Sequence, residues 1–117
     1  MFKGFCKRRE EAIAQEQRRI QYGFRVIMGR QVGDARRLCI EYGFDPELGQ
    51  ELIVLVTMGD LAEQLNTKRF KVAEAMVFAK YFAYGVITDE HFEKIKQFRE
   101  GIEAIRSKYA PEFNALG

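Results

Sequence analysis

The sequence predicts an all-α fold, a compact bundle of four to five helices, on three observations. Apolar residues recur at spacings of three, four and seven along most of the chain, and these spacings follow the helical period. Prolines are scarce, because only Pro46 and Pro111 occur, whereas a β fold rich in turns would need more. The length of 117 residues suits one domain, 1–117, in which residues 1–6 can be disordered and residues 111–117 form a C-terminal tail.

Two helices are predicted in the first third of the chain. The first covers about residues 7–29 and carries one apolar stripe, made by Ile13, Ile20, Phe24 and Ile27. A short second helix is predicted from Asp34, which is a suitable N-cap, to Tyr42. Gly43 follows as the left-handed residue that commonly ends a helix.

The third and fourth predicted helices form an apolar central hairpin, over about residues 46–65 and 68–84. Asp45 is a good N-cap and Pro46 suits the first helical position, where its missing N–H costs nothing. The segment 52–56 is apolar on every side, as in a buried helix. Its β-branched residues would also suit a strand, but the chain offers no second strand for it to pair with.

The fifth predicted helix opens at Thr88, with acidic residues in its first turn as the helix dipole prefers. Pro111 is expected to end it. Its apolar residues follow one another at spacings of three and four: Phe92, Ile95, Phe98, Ile102, Ile105 and Tyr109.

The charge of the chain is distributed in blocks, although the net charge is only +2. Residues 1–44 hold ten Lys and Arg against five Asp and Glu, whereas residues 45–66 hold five acids and no base. Such blocks either steer an acidic partner to one face or attract each other within the fold. The two cysteines make no disulfide framework and no apolar run is long enough to cross a membrane, so the sequence predicts a cytoplasmic protein.

No pattern of residues indicates catalysis, a metal or a cofactor, so the chain is predicted not to be an enzyme. His91 is the only histidine, whereas zinc and di-metal sites need several ligands. Cys39 lies between Leu38 and Ile40 and is expected to be a buried, inert thiol. Nothing in the chain looks like a glycine-rich phosphate loop.

One segment, 61–76, resembles the helix-turn-helix of bacterial winged helix-turn-helix regulators. It reads Leu-Ala-x-x-Leu, then a turn, then a helix with Val72 and Met76 facing inward, and Gly85-Val86-Ile87 matches the usual close of the recognition helix. The resemblance implies that four residues at the start of that helix contact DNA: Thr67, Lys68, Arg69 and Lys71. A helical hairpin in the protein core explains the same residues without DNA.

The function predicted from the sequence is a helical protein–protein interaction module, an adaptor or regulator that associates with itself. The apolar fourth helix and the striped fifth helix supply the expected interface residues: Phe78, Tyr81, Phe82, Phe92, Phe98, Ile102 and Ile105. A basic contact patch is expected near the N-terminus: Lys3, Lys7, Arg8, Arg9, Arg18 and Arg19. The alternatives are the DNA-binding regulator above and contact of residues 1–9 with an anionic membrane surface.

Overall fold

The computed structural model describes residues 2–82 and 89–117, with side chains from residue 7 onward. Within these ranges the chain forms four α-helices and no strand: α1 (Phe2–Tyr42), α2 (Pro46–Leu61), α3 (Lys68–Phe82) and α4 (Asp89–Asn114). The predicted all-α bundle is confirmed. Two predicted features lie in residues 83–88, outside the described residues: the Gly85-Val86-Ile87 close of the recognition helix and the start of the fifth helix at Thr88.

The two helices predicted before Gly43 are one continuous helix, α1, and it begins at Phe2, within the segment for which disorder was expected. Asp34 therefore caps no helix, and its carboxylate instead accepts hydrogen bonds from the Tyr109 hydroxyl at 2.7 Å and from Lys108 Nζ at 3.2 Å. Gly33 costs about 1 kcal/mol in a helix interior. The helix continues through it because Ala35, among its neighbours, is fully buried against the rest of the bundle.

The junction between α1 and α2 is built as the sequence predicts. Gly43 has a φ of 75°. The amide of Gly43 donates to the Ile40 carbonyl at 3.1 Å and that of Phe44 to the Cys39 carbonyl at 2.8 Å, which together form a Schellman motif. Asp45 then accepts a hydrogen bond from the Glu47 amide at 2.9 Å, and it caps α2 as expected.

Helix α2 lies at the centre of the bundle and packs against α1 and α4. Gly49 allows the close contact with α1, since a Cβ built on it would lie 2.5 Å from the Ala35 carbonyl oxygen. One core cluster unites the three helices: Ala35, Cys39, Leu48, Leu52, Ile53, Val56, Phe98 and Ile102. A second, smaller cluster joins α1 to α4: Ile27, Tyr109 and Phe113.

Helix α3 lies at the edge of the bundle, which differs from the central place predicted for it. It has no fully buried residue, although several of its apolar side chains pack against the core. Its backbone runs along α2 alone among the described helices. It reaches α4 only through side chains, as in the ion pair between Glu74 and Arg99 at 2.5 Å. The place of α3 could not be predicted, because the hydrophobicity of a helix does not indicate which neighbour covers it.

Two helix ends differ from prediction. Helix α2 ends at Leu61 rather than Leu65, with Glu63 in the left-handed region at a φ of 55°. Helix α4 continues through Pro111 to Asn114, so residues 111–114 are helical and not part of a tail. Burial of Phe113, whose ring centroid lies 5.2 Å from that of Phe24, stabilises the turn after the proline.

Candidate docking surface

An apolar groove runs over the surface between α2 and α3. Its volume is about 760 Å³, and Met58 and Met76 line it with 51% and 68% of their surface exposed. Val54, on the same face of α2, is also exposed. We call this surface the docking groove and define it by all the residues that line it: Gln50, Glu51, Val54, Leu55, Met58, Met76, Val77 and Lys80.

The groove exists because the central segment of α2, residues 52–56, is apolar on every side but is covered on only part of its circumference. Leu52, Ile53 and Val56 point into the core. Val54 and Met58, spaced by four residues, lie together on the outer side. The only described helix along that side is α3, which leaves the space between the two helices open. Large exposed apolar patches of this kind mark interaction surfaces more often than chance.

The exposed face of α3 is cationic or apolar. Lys68, Arg69 and Lys71 are exposed at its start, and within the described residues none of them forms an ion pair. The single acid of α3, Glu74, is largely covered and holds Arg99 of α4. We call Lys68, Arg69 and Lys71 the basic end of α3. Positive charge is unfavourable at a helix N-terminus, so an acidic partner would relieve this end.

The far rim of the groove is neutralised within the chain. Lys80 Nζ lies 2.7 Å from a carboxylate oxygen of Glu51, which links α3 to α2. The hydrogen bond and the charge of Glu51 raise the pKa of Lys80 above its ordinary value. Because this pair is self-contained, the charge available to a partner along the groove is that of the basic end of α3.

Most of the interface residues predicted from the sequence are not at the surface. Phe98 and Ile102 are buried in the core, and Ile105 packs against both core clusters. A second group is half-buried against the core: Phe78, Tyr81 and Phe82. Phe92 alone among the predicted residues is largely exposed, at 67%. From Phe98 onward, the apolar stripe of the fifth predicted helix is therefore the core-facing stripe of α4.

The predicted basic patch lies on a different part of the molecule. Lys7, Arg8, Arg9 and Arg18 are exposed on α1, and the side chain of Lys3 lies outside the described residues. Arg19 is held by Glu16 at 2.6 Å, and this contact raises the pKa of Arg19 and lowers that of Glu16. Since α1 makes no backbone contact with α3, the structure does not bring this patch together with the basic end of α3.

The segment that resembles a helix-turn-helix forms the end of one helix, a turn and a second helix, but Val72 and Met76, which were predicted to face inward, are exposed. Its Leu-Ala-x-x-Leu part, 61–65, is the end of α2 and a turn, closed by a hydrogen bond from the Gln64 amide to the Gly59 carbonyl at 2.8 Å. Phe70 is half-buried, because Gly59 leaves room for its ring. Thr67 caps α3 by accepting from the Phe70 amide at 3.3 Å. Of the four predicted DNA contacts, the three basic residues are exposed on the first turn of α3.

A second cavity, of about 440 Å³, lies where α2, α3 and α4 meet near the turn. Arg106 is almost fully buried there, and its Nη2 donates to Asp60 Oδ2 at 2.5 Å. Its Nε and Nη1 are buried without a partner in the structure. These two atoms have no exposed surface, so they do not face the open part of the cavity. Nothing in the sequence around Arg106 or Asp60 predicted this buried ion pair.

The structure also places the residues that the sequence singled out as candidates for catalysis or metal binding. Cys39 is fully buried, as predicted, and burial raises the pKa of its thiol to about 11. His91 is half-buried and packs edge-on against Phe82, with ring centroids 5.4 Å apart, rather than standing in solvent. No group of three or more His, Cys, Asp or Glu side chains that could hold a metal ion occurs among the described residues.

The chain was compared with protein families, with curated proteins and with solved structures, and none of them matches it. Within the part of the chain that the structure describes, no helix is both long enough and apolar enough to cross a membrane.

Proposed function

We propose that this chain is a helical protein–protein interaction module whose binding surface is the docking groove. The observation that carries the proposal is the exposure of Met58 and Met76, from two different helices, in one apolar groove. Leaving such side chains in water is unfavourable, and a bound partner would bury them. Methionine is also the residue that adapts best to partners of different shape.

The shape of the groove suits a helical ligand. Side chains of both α2 and α3 line the groove, so the apolar face of an amphipathic helix can lie between them, with anchors at spacings of three, four and seven residues. The basic end of α3 favours acidic residues on the flank of that helix. The module acts by holding such a segment, as an adaptor or regulator does.

A library of amphipathic helical peptides, selected against the immobilised protein, tests this proposal. The selected peptides are expected to shift the methyl resonances of Met58 and Met76, and Met76→Glu is expected to weaken their binding at least about tenfold. The matched control is Ile40→Glu, which alters an exposed apolar residue on α1 instead. Peptides that bind both variants equally, or that map to another surface, would contradict the proposal.

DNA binding is the competing proposal, and the observation in its favour is the exposure of Lys68, Arg69 and Lys71 without ion pairs among the described residues. Against it, Val72 and Met76 follow on the same exposed face, where a helix in the major groove presents polar side chains. Binding of duplex DNA at low salt, measured for the wild type and for the variant with Ala at Lys68, Arg69 and Lys71, decides between the two proposals. Salt-sensitive binding that the variant loses would favour DNA.

A further inference from the structure

The first turn of α4 carries an exposed aromatic ring among acids. Phe92 is exposed, and so are Asp89, which shares its helix face, and Glu90 and Glu93 on the neighbouring faces. We call these four residues the acidic knob. Acids at the start of a helix stabilise the helix itself, since they complement its dipole. That role does not account for Phe92, whose ring stays in water while the next aromatic residue of α4, Phe98, is buried.

The acidic knob and the exposed face of α3 are complementary. The knob offers three exposed negative charges at the same helix end as one exposed aromatic ring, and the basic end of α3 offers three positive charges at the same end as the apolar Val72. Both sets of charges are exposed, so opposite charges on two molecules attract each other at a distance and set the register of contact. The aromatic ring would then replace water against apolar side chains.

The two surfaces are too far apart to meet within one molecule. The knob lies at the C-terminal end of α3, because the ring of His91 packs against that of Phe82. The basic end lies at the other end of α3, and the 15 residues of this helix span about 22 Å. One copy therefore cannot bring its own acidic knob to its own basic end, whereas a second copy offers the complement of each surface.

We propose that two copies of this chain associate through α3, with the acidic knob of each copy against the basic end of α3 in the other. The arrangement is two-fold: the two α3 helices run antiparallel, so the C-terminal end of each one meets the N-terminal end of the other. Val72 and Met76 of both copies pack at the centre. This inference rests on the proposed function, because it names the partner that covers part of the docking groove.

Sedimentation equilibrium at tens of micromolar tests the dimer, with a pair of charge-reversed variants. One variant carries Glu90→Lys and Glu93→Lys in the knob, and the other carries Lys68→Glu and Arg69→Glu in α3. Each variant alone brings like charges together and is expected to weaken the dimer at least about tenfold. Mixed in equal amounts, they are expected to form a heterodimer, because both of its contacts then join opposite charges.

Two further variants separate this inference from its alternatives. Met76→Glu is expected to abolish the dimer, whereas Ile40→Glu on α1 leaves it intact; circular dichroism confirms that every variant is folded. A wild-type protein that stays monomeric, or reversed variants that do not recover on mixing, would overturn the inference. Either result leaves the proposed function standing if selected helical peptides still bind the docking groove. If the peptides fail to bind while the dimer forms and responds to charge reversal as expected, the role of the groove is limited to self-association.

Discussion

Two glycine substitutions are expected to change the free energy of unfolding in opposite directions. Gly33 lies inside α1, and a Cβ built there meets nothing within 4 Å. At Gly49 in α2, the same Cβ lies 2.5 Å from the Ala35 carbonyl oxygen and 2.8 Å from the Cys39 sulfur. The same chemical change, Gly→Ala, therefore meets open space at one position and a closely packed interface at the other.

The magnitudes follow from these surroundings. Replacing a helical glycine by alanine gains about 1 kcal/mol of helix propensity, so Gly33→Ala is expected to stabilise the protein by about that amount. Gly49→Ala has the same gain, but overpacking costs about 1–3 kcal/mol. The cost is expected at the upper end, because the contacted atoms are backbone and a buried sulfur that cannot move away. The net loss is then about 1–2 kcal/mol.

Urea unfolding followed by far-UV circular dichroism, at one protein concentration for all variants, measures both changes. The two variants are expected to differ by about 2–3 kcal/mol. Gly29→Ala is the matched control, since a Cβ at Gly29 also meets nothing within 4 Å. A Gly49→Ala protein as stable as the wild type would refute the close contact of α1 with α2. If neither Gly29→Ala nor Gly33→Ala stabilised the protein, α1 would not be a continuous helix through residues 29–34.

Three further predictions concern buried or half-buried polar groups. Thr57→Val removes the acceptor of the hydrogen bond that Gln31 Nε2 donates at 2.6 Å, so the free energy of unfolding is expected to fall by about 1–3 kcal/mol. Adding Gln31→Met to this variant should recover most of the loss in the same urea assay, because no buried donor is then left without an acceptor. Burial raises the pKa of Asp34, but hydrogen bonds from Tyr109, Lys108 and Arg37 outweigh this, and the net shift is downward. The stabilisation by Asp34 is therefore present above its unfolded pKa of about 4 and is lost as the pH falls through its folded pKa. Measured against pH, the free energy of unfolding should fall less on acidification in Asp34→Asn than in the wild type. An equal fall in both proteins would contradict the lowered pKa of Asp34. Cys39 is expected to stay unreactive towards a thiol reagent at mildly alkaline pH until urea unfolds the protein, because its pKa is about 11; rapid labelling of Cys39 in the native state, located by mass spectrometry, would show that the site opens.

Local signals in the sequence predicted local structure well. Gly43 and Asp45 define the junction between α1 and α2 through hydrogen bonds to residues no more than five positions away. Thr67 marks the start of α3 for the same reason. Features of this kind depend on a few neighbouring residues, so a single sequence contains nearly all the information needed.

Features that depend on tertiary contacts were missed. Aspartate is a residue type typical of N-caps, but Asp34 instead bonds to Tyr109, which lies 75 residues away. No residue near Asp34 in the sequence indicates this partner. Pro111 lacks an N–H and normally ends a helix, yet burial of Phe113 keeps α4 helical beyond it. In each case the energy of packing is larger than the local preference.

The candidate site was predicted in kind but not in place. An unusually apolar α3 indicated an uncovered surface, and the groove beside it agrees with that idea. The individual residues differ, because a stripe such as Phe98 and Ile102 looks the same whether it faces the core or a partner. Phe92 follows the same spacing as these residues, and the structure leaves it exposed.

The length of α1 gives its two halves different kinds of stability. At the C-terminus of the chain, Leu116 contacts Arg19 and Gly23 of α1. Residues 7–18 of α1 lie beyond these contacts and extend past the other helices. The radius of gyration of 18.8 Å, against about 13 Å for a spherical chain of this length, reflects that extension. The bundle provides the helix nucleus, and the extension grows from it by propagation alone, one hydrogen bond at a time. Amide exchange along α1 should therefore become gradually faster towards residue 7, and substitutions of helix propensity there should change the order of the extension without changing the unfolding of the bundle.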